Sequence, residues 1–148
     1  MLDLIKNLSD SFVKFLAEDP VRPHIPYIDR IGDNKDIFVM RSEDNSVTAI
    51  TCVSYQSTIP TTECELFNAT GLPDTAVFYT IWSYKPGAGR QLIFESVKHI
   101  KENKPNIIRF ITLSPKTEMA RRFHLKNGAI VFRENNESVN YEYLDINF

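Results

Sequence analysis

The chain has 148 residues, 43% hydrophobic and 24% charged, with a net charge of -2 and a pI near 5.9. That length suits one domain able to bury its own core, and the mild acidity argues against a dedicated nucleic-acid binder, which is usually basic. No apolar stretch reaches membrane-span length, MLDLIKNLSDSFVKFLAEDP lacks the parts of a secretory leader, and Cys52 and Cys64 make no disulfide framework or CxxC site. A soluble protein in a reducing, cytoplasmic setting is therefore expected, with no membrane and no nucleic acid among its partners. Asn68-Ala69-Thr70 matches a glycosylation sequon, read here as chance without a leader.

In chain order, Leu4, Leu8, Phe12, Phe15 and Leu16 recur at helical spacing, which predicts an amphipathic helix over 2–18. Pro20, Pro23 and Pro26 then impose an extended connection. IFVMR (37–41) and VTAITCVSY (47–55) read as strands joined into a hairpin by the turn residues Glu43–Ser46. Residues 56–74 read as irregular, with a capping box at Thr62-Glu63-Cys64-Glu65 that can start a short helix. TAVFYTIW (75–82) is a near-continuous apolar strand of the kind buried on both faces.

A Gly-Ala-Gly turn follows at 87–89, and Ile93, Val97 and Ile100 mark one face of a helix over 90–103. IIRFITL (107–113) reads as another buried strand, so strand, helix and strand form a βαβ unit with a parallel pair. Ser114 as N-cap, Pro115 at the first helical position and Gly128 past the end bracket a further helix. Residues 129–133 and 139–146 close the chain as a strand pair. The fold class is α+β around one sheet.

Gly87 and Gly89 clear the backbone of Cβ atoms where a helix begins. The first amides of a helix have no internal partners and carry the positive end of its dipole, so this is a natural anion site, flanked by Lys85 and Arg90. A phosphate or pyrophosphate is the expected guest. No GxxxxGK[ST] loop is present, and the dinucleotide pattern GxGxxG fails at Leu92. The alternative is a tight turn that binds nothing.

Two stretches together resemble a known family. Tyr84-Lys85-Pro86-Gly87-Ala88-Gly89 is similar to the Q/R-x-x-G-x-G/A signature of the GNAT superfamily, the CoA-dependent N-acyltransferases. Ala120, Phe123, His124, Gly128 and Ala129 are similar to its second signature, A-x-x-F/L-Y-x-x-x-G-F/A, at the usual separation. The wording is also similar to that of small GNAT-like proteins of marine T4-like bacteriophages.

The resemblance implies a mixed, mostly antiparallel sheet with one parallel βαβ pair and helices on both faces. It implies transfer of an acyl group, with acetyl expected, from acetyl-CoA to a small-molecule or peptide amine. Loop amides at Gly87, Ala88 and Gly89 would hold the CoA pyrophosphate, with Lys85 and Arg90 as charge support. The pantetheine arm would run beside Ile81 and Trp82, where β-strand amides also face the thioester oxygen. Tyr84 stands where the family prefers Gln or Arg. His124 stands where the family often has a Tyr acid, and as a cation it could protonate the leaving thiolate; the alternative is a packed helix residue. Those two departures also support a second reading, a non-catalytic GNAT-fold module that binds CoA or a protein partner.

No general base stands out. Glu63 and Glu65 precede the central strand, where they could border the acceptor cleft, but read first as solvated carboxylates; His99 reads as exposed, and His24 as standing without a constellation. Three scattered histidines give no metal-ligand spacing. The closing strands offer an edge with which a second copy could pair as a homodimer.

Overall fold

Alternation, not helical spacing, governs the first residues. Leu2–Ile5 form an edge strand, β1, paired antiparallel with β2 (Lys35–Arg41) from Leu2 opposite Met40 to Ile5 opposite Ile37. The helix expected over 2–18 is thus a strand followed by a 3-10 helix at Ser11–Glu18. Polar turn residues separate the two. The Asn7 side chain accepts from the Ser9 N–H at 3.0 Å, and the Asp10 carboxylate accepts from the Phe12 N–H at 2.8 Å. The structure is a computed structural model that describes residues 1–67 and 71–144. The Asn68–Thr70 sequon and the end of the strand expected over 139–146 lie outside the described residues.

The hairpin of β2 and β3 (Val47–Gln56) turns through Asn45, which adopts φ 69°, a conformation Asn tolerates. Thr62 and Glu65 close the capping box of a 3-10 turn at Glu63–Leu66. Next come β4 (Thr75–Ser83), helix α1 (Ala88–Asn103), β5 (Arg109–Thr112) and a two-residue β6 (Ser114–Pro115). Helix α2 (Glu118–Lys126), β7 (Ile130–Glu134) and β8 (Ser138–Tyr143) complete the order.

The helix bracketed by Ser114 and Pro115 starts later than expected. Its N-cap is Thr117, whose hydroxyl accepts from the Ala120 N–H at 3.2 Å. Ser114 and Pro115 stay extended against β8, and the Ser114 hydroxyl is engaged with Thr112 and His124.

The strands form one sheet in the order β1-β2-β3-β4-β5-β8-β6, with β7 on the other edge of β8. Pieces β5 and β6 form one track, interrupted at Leu113, along a single edge of β8. Among the described strands only β4 and β5 run parallel, and α1 makes the crossover between them. Leu92, Ile93, Val97 and Ile100 of α1 are fully buried against one face of the sheet, with Phe38, Val53 and Phe78. Each such side chain stabilises the fold by roughly 1.5–3 kcal/mol. The opposite face, with Ile37, Ile50, Val77 and Ile111, is covered by Leu16 and Leu66 of the 3-10 segments and by Ile25 of the proline-rich connection. The described sheet, mostly antiparallel with one parallel pair, makes an α+β arrangement.

Candidate functional site

Two irregular residues open the sheet at its centre. In the β3–β4 ladder Cys52 faces Thr80 and Val53 faces Phe78, so Tyr79 is the extra residue of a bulge. The β4–β5 ladder runs from Thr75 to Phe78, where the Leu113 N–H bonds the Phe78 carbonyl at 3.0 Å. Beyond that point the strands part. A cleft of about 550 Å³ opens between them, walled by Ile81 and Trp82 of β4 on one side and by Pro115, Phe123 and His124 on the other. No Asp or Glu lines it among the described residues.

The N-terminus of α1 stands at one side of this cleft. Gly87 caps the helix at φ 80°, a backbone conformation that L side chains rarely adopt. The first i→i−4 bond is from the Gln91 N–H to the Gly87 carbonyl, and the Ala88 N–H turns back to Lys85. The amides of Gly89 and Arg90 precede that first bond and head the helix. Lys85 is exposed. Arg90 reaches the Asn127 side chain at 3.2 Å and lies over the Phe94 ring.

The two glycines serve different ends. A Cβ on Gly87 would meet nothing, so its requirement is conformational; a Cβ on Gly89 would lie 2.9 Å from the Phe123 ring of α2. The second glycine of the turn lets α2 dock on α1 and form the cleft wall. Gly89→Ala should therefore cost about 1–3 kcal/mol by overpacking. Urea unfolding of the variant checks this, and an unchanged midpoint would show that Phe123 yields freely.

His124 is 3% exposed. It stacks on the Tyr141 ring at 4.9 Å, with Nδ1 at 2.8 Å from the Tyr143 hydroxyl and Nε2 at 3.2 Å from the Ser114 hydroxyl. Ser114 donates onward to Thr112 at 2.8 Å. With that direction, Nε2–H donates to Ser114 and Nδ1 accepts from Tyr143. Burial holds the imidazole down to about 4 from its usual 6.5, and no facing carboxylate offsets it. At neutral pH His124 is a neutral donor on the cleft wall, so the cationic acid considered from sequence does not form there. Burial likewise raises the Tyr143 phenol, which stays protonated.

The structure brings Ile81, Trp82, Gly89 and His124 together on the cleft, with Lys85, Gly87, Ala88 and Arg90 at its helical end. Tyr84 falls outside the cleft lining. It is 41% exposed, accepts from the Trp82 indole N–H at 3.0 Å and donates to Glu18 at 2.8 Å. His99 is half-buried against the Phe38 ring rather than exposed.

His24 does have a constellation. Its Nε2 lies 2.6 Å from Glu63, and the other Glu63 oxygen accepts from Arg22 at 2.8 Å. Sequence reasoning missed Arg22 altogether, because a lone Arg between prolines carries no pattern. Among the described residues no group of His, Cys, Asp and Glu is arranged to hold a metal ion. No helix of the described residues is long and apolar enough to cross a membrane.

The chain matches no protein-family model and no curated protein sequence. It is similar in structure to the malonyl-CoA decarboxylase of Cupriavidus metallidurans, with a TM-score of 0.73 and 16% identity over 97% of this chain and 60% of that one. The malonyl-CoA decarboxylase of Rhodopseudomonas palustris gives 0.72 and 19%, over 97% and 59%. Tetrahymena Gcn5 gives 0.62 and 13%, over 100% of this chain and 99% of that one. The chain thus spans about three-fifths of these two decarboxylase chains and nearly all of the Gcn5 chain. At these identities the likeness is one of fold, and the same fold is seen in the GNAT domain of S. lividans PAT, with a TM-score of 0.66 and 13% identity over 96% of this chain and 88% of that one.

Proposed function

We propose that the cleft binds an acyl-CoA and that the chain transfers its acyl group, acetyl first among candidates, to an amine. The observation that carries this is the placement of the α1 N-terminus beside the parted strands. A pyrophosphate fits the amides of Gly89 and Arg90 at the Gly87 cap, the Ala88 N–H being turned back to Lys85, with the Lys85 and Arg90 side chains beside them. The pantetheine arm fits the apolar cleft along Ile81 and Trp82. Acetyl-CoA supplies the activated thioester. Backbone amides of β4 beyond the fork orient its carbonyl; as the amine attacks and the C–S bond breaks, the proton lost by the amine goes to the leaving thiolate, with His124 on the cleft wall as a neutral polar neighbour.

A second reading is favoured by the lack of a carboxylate in the cleft lining among the described residues. An amine acceptor must lose a proton, and His124 can take one up at neither low cost nor neutral pH. Loss of carbon dioxide from a malonyl-type thioester needs no acceptor and no base. An apolar cleft favours shedding the charged carboxylate, amides facing the thioester oxygen stabilise the enolate, and a neutral donor reprotonates carbon. Two of the similar structures are malonyl-CoA decarboxylases, which agrees with this reading.

The test incubates the pure protein with acetyl-CoA plus a panel of amines, and separately with malonyl-CoA alone. Free thiol released only with an amine supports transfer; acetyl-CoA formed without an acceptor supports decarboxylation. If decarboxylation is seen, His124→Ala should lower turnover by about 10²–10⁴-fold. Tight CoA binding with neither reaction would leave the non-catalytic module.

A further inference from the structure

The residue that holds the fork open is neither on β4 nor on β5. Where paired strands part, their backbone carbonyls lose ladder partners, and buried carbonyls need replacements. The two displaced groups here belong to the irregular residues: Tyr79, the bulge residue of β4, and Leu113, the break between β5 and β6. One guanidinium satisfies both. Arg22 donates from Nε to the Tyr79 carbonyl at 2.8 Å and from Nη2 to the Leu113 carbonyl at 2.9 Å.

Its remaining nitrogen, Nη1, donates to Glu63 at 2.8 Å, and His24 holds the far oxygen of the same carboxylate at 2.6 Å. The backbone of Arg22 is fixed as well. Its N–H and that of Val21 donate to the Asp19 carboxylate, which also receives the Thr80 hydroxyl and is paired with the fully buried Arg30. The Arg22 side chain is 13% exposed. A planar guanidinium holds its N–H groups in a fixed fork that spaces two carbonyls on different strands; a compact ammonium on a flexible stem sets no such spacing.

We infer that Arg22 is a positioning residue: it spaces Tyr79 from Leu113 and so sets the width of the cleft at its inner end. Glu63 orients the guanidinium, and His24 orients Glu63. The inference rests on the proposed CoA reading of the cleft. A cleft of fixed width favours a ligand that threads between the strands, and spares one that touches only the helix end outside it.

The experiment compares dissociation constants for CoA, which has the arm, and for adenosine 3′-phosphate 5′-diphosphate, which lacks it. Arg22→Met, Arg22→Lys and Glu63→Gln are measured by calorimetry and competition, at a temperature where circular dichroism shows each variant folded. Arg22→Met should weaken CoA about tenfold or more, leave the nucleotide within about twofold, and Arg22→Lys should not restore the difference. If Arg22→Met does not fold, Glu63→Gln decides by the same split, with a loss of about threefold expected for CoA alone. Equal weakening of both ligands, or no change in either, overturns the inference. A wild-type protein that binds no CoA overturns the proposed function itself, and the positioning role with it.

Discussion

Arg30→Met is expected to remove about 3–5 kcal/mol of folding stability, the cost of leaving one member of a buried ion pair without its partner. The Arg30 and Asp19 side chains are both fully inaccessible and meet at 2.8 Å. Arg30 also donates to the Arg22 and Ile25 carbonyls, so Met would orphan backbone acceptors as well as a carboxylate. Asp19→Asn should be costly for the converse reason, an unpaired guanidinium at zero exposure. Domains of this size are stable by only about 5–15 kcal/mol, so either change should lower the urea midpoint sharply without altering the slope. A loss under about 1 kcal/mol would mean that water reaches the pair, contrary to the packing described.

The second large effect is one of pH. His124 titrates near 4 in the folded chain and near 6.5 when unfolded, because burial disfavours its cation. Between those values the unfolded chain holds a proton that the folded chain does not, so stability rises with pH across the window. The contribution is complete above about pH 6.5 and is lost as pH falls through about 4, for a total of roughly 3 kcal/mol. His124→Gln, which keeps a polar side chain and cannot titrate, should flatten the profile of unfolding free energy between pH 4 and 6.5. If wild type and variant trace parallel curves there, His124 is solvated and charged, and the neutral-donor role fails.

Much of the architecture is legible in local chemistry. The β2–β3 hairpin, the buried central strand and α1 follow from β-branched runs, turn residues and a 3.6-residue apolar face. The N-terminal segment misleads because Leu2, Leu4 and Ile5 fit a strand as well as a helix. The deciding groups are the Asn7 side-chain amide oxygen and the Asp10 carboxylate, which accept from the Ser9 and Phe12 N–H groups and turn the chain between strand and 3-10 helix. Ser114-Pro115 misleads because a cap signature is local, whereas the Ser114 hydroxyl is claimed by His124 ten residues later. The glycine turn is visible as a site, but the separate duties of Gly87 and Gly89 depend on where Phe123 lands. Arg22 is invisible beforehand because its partners are carbonyls 57 and 91 residues away, and backbone groups leave no mark in sequence.

The account turns on whether the cleft and helix end bind a CoA thioester. The most direct measurement is thermal unfolding with and without acetyl-CoA, for the wild type and for a Lys85→Glu/Arg90→Glu double variant. At about a hundred times the dissociation constant, a ligand stabilises the fold by roughly 2.7 kcal/mol, a rise of several degrees in Tm. The account predicts that rise in the wild type and its near-complete loss when the flanking charges are reversed. No rise at saturating acetyl-CoA, or a rise that the reversed charges leave intact, would contradict it.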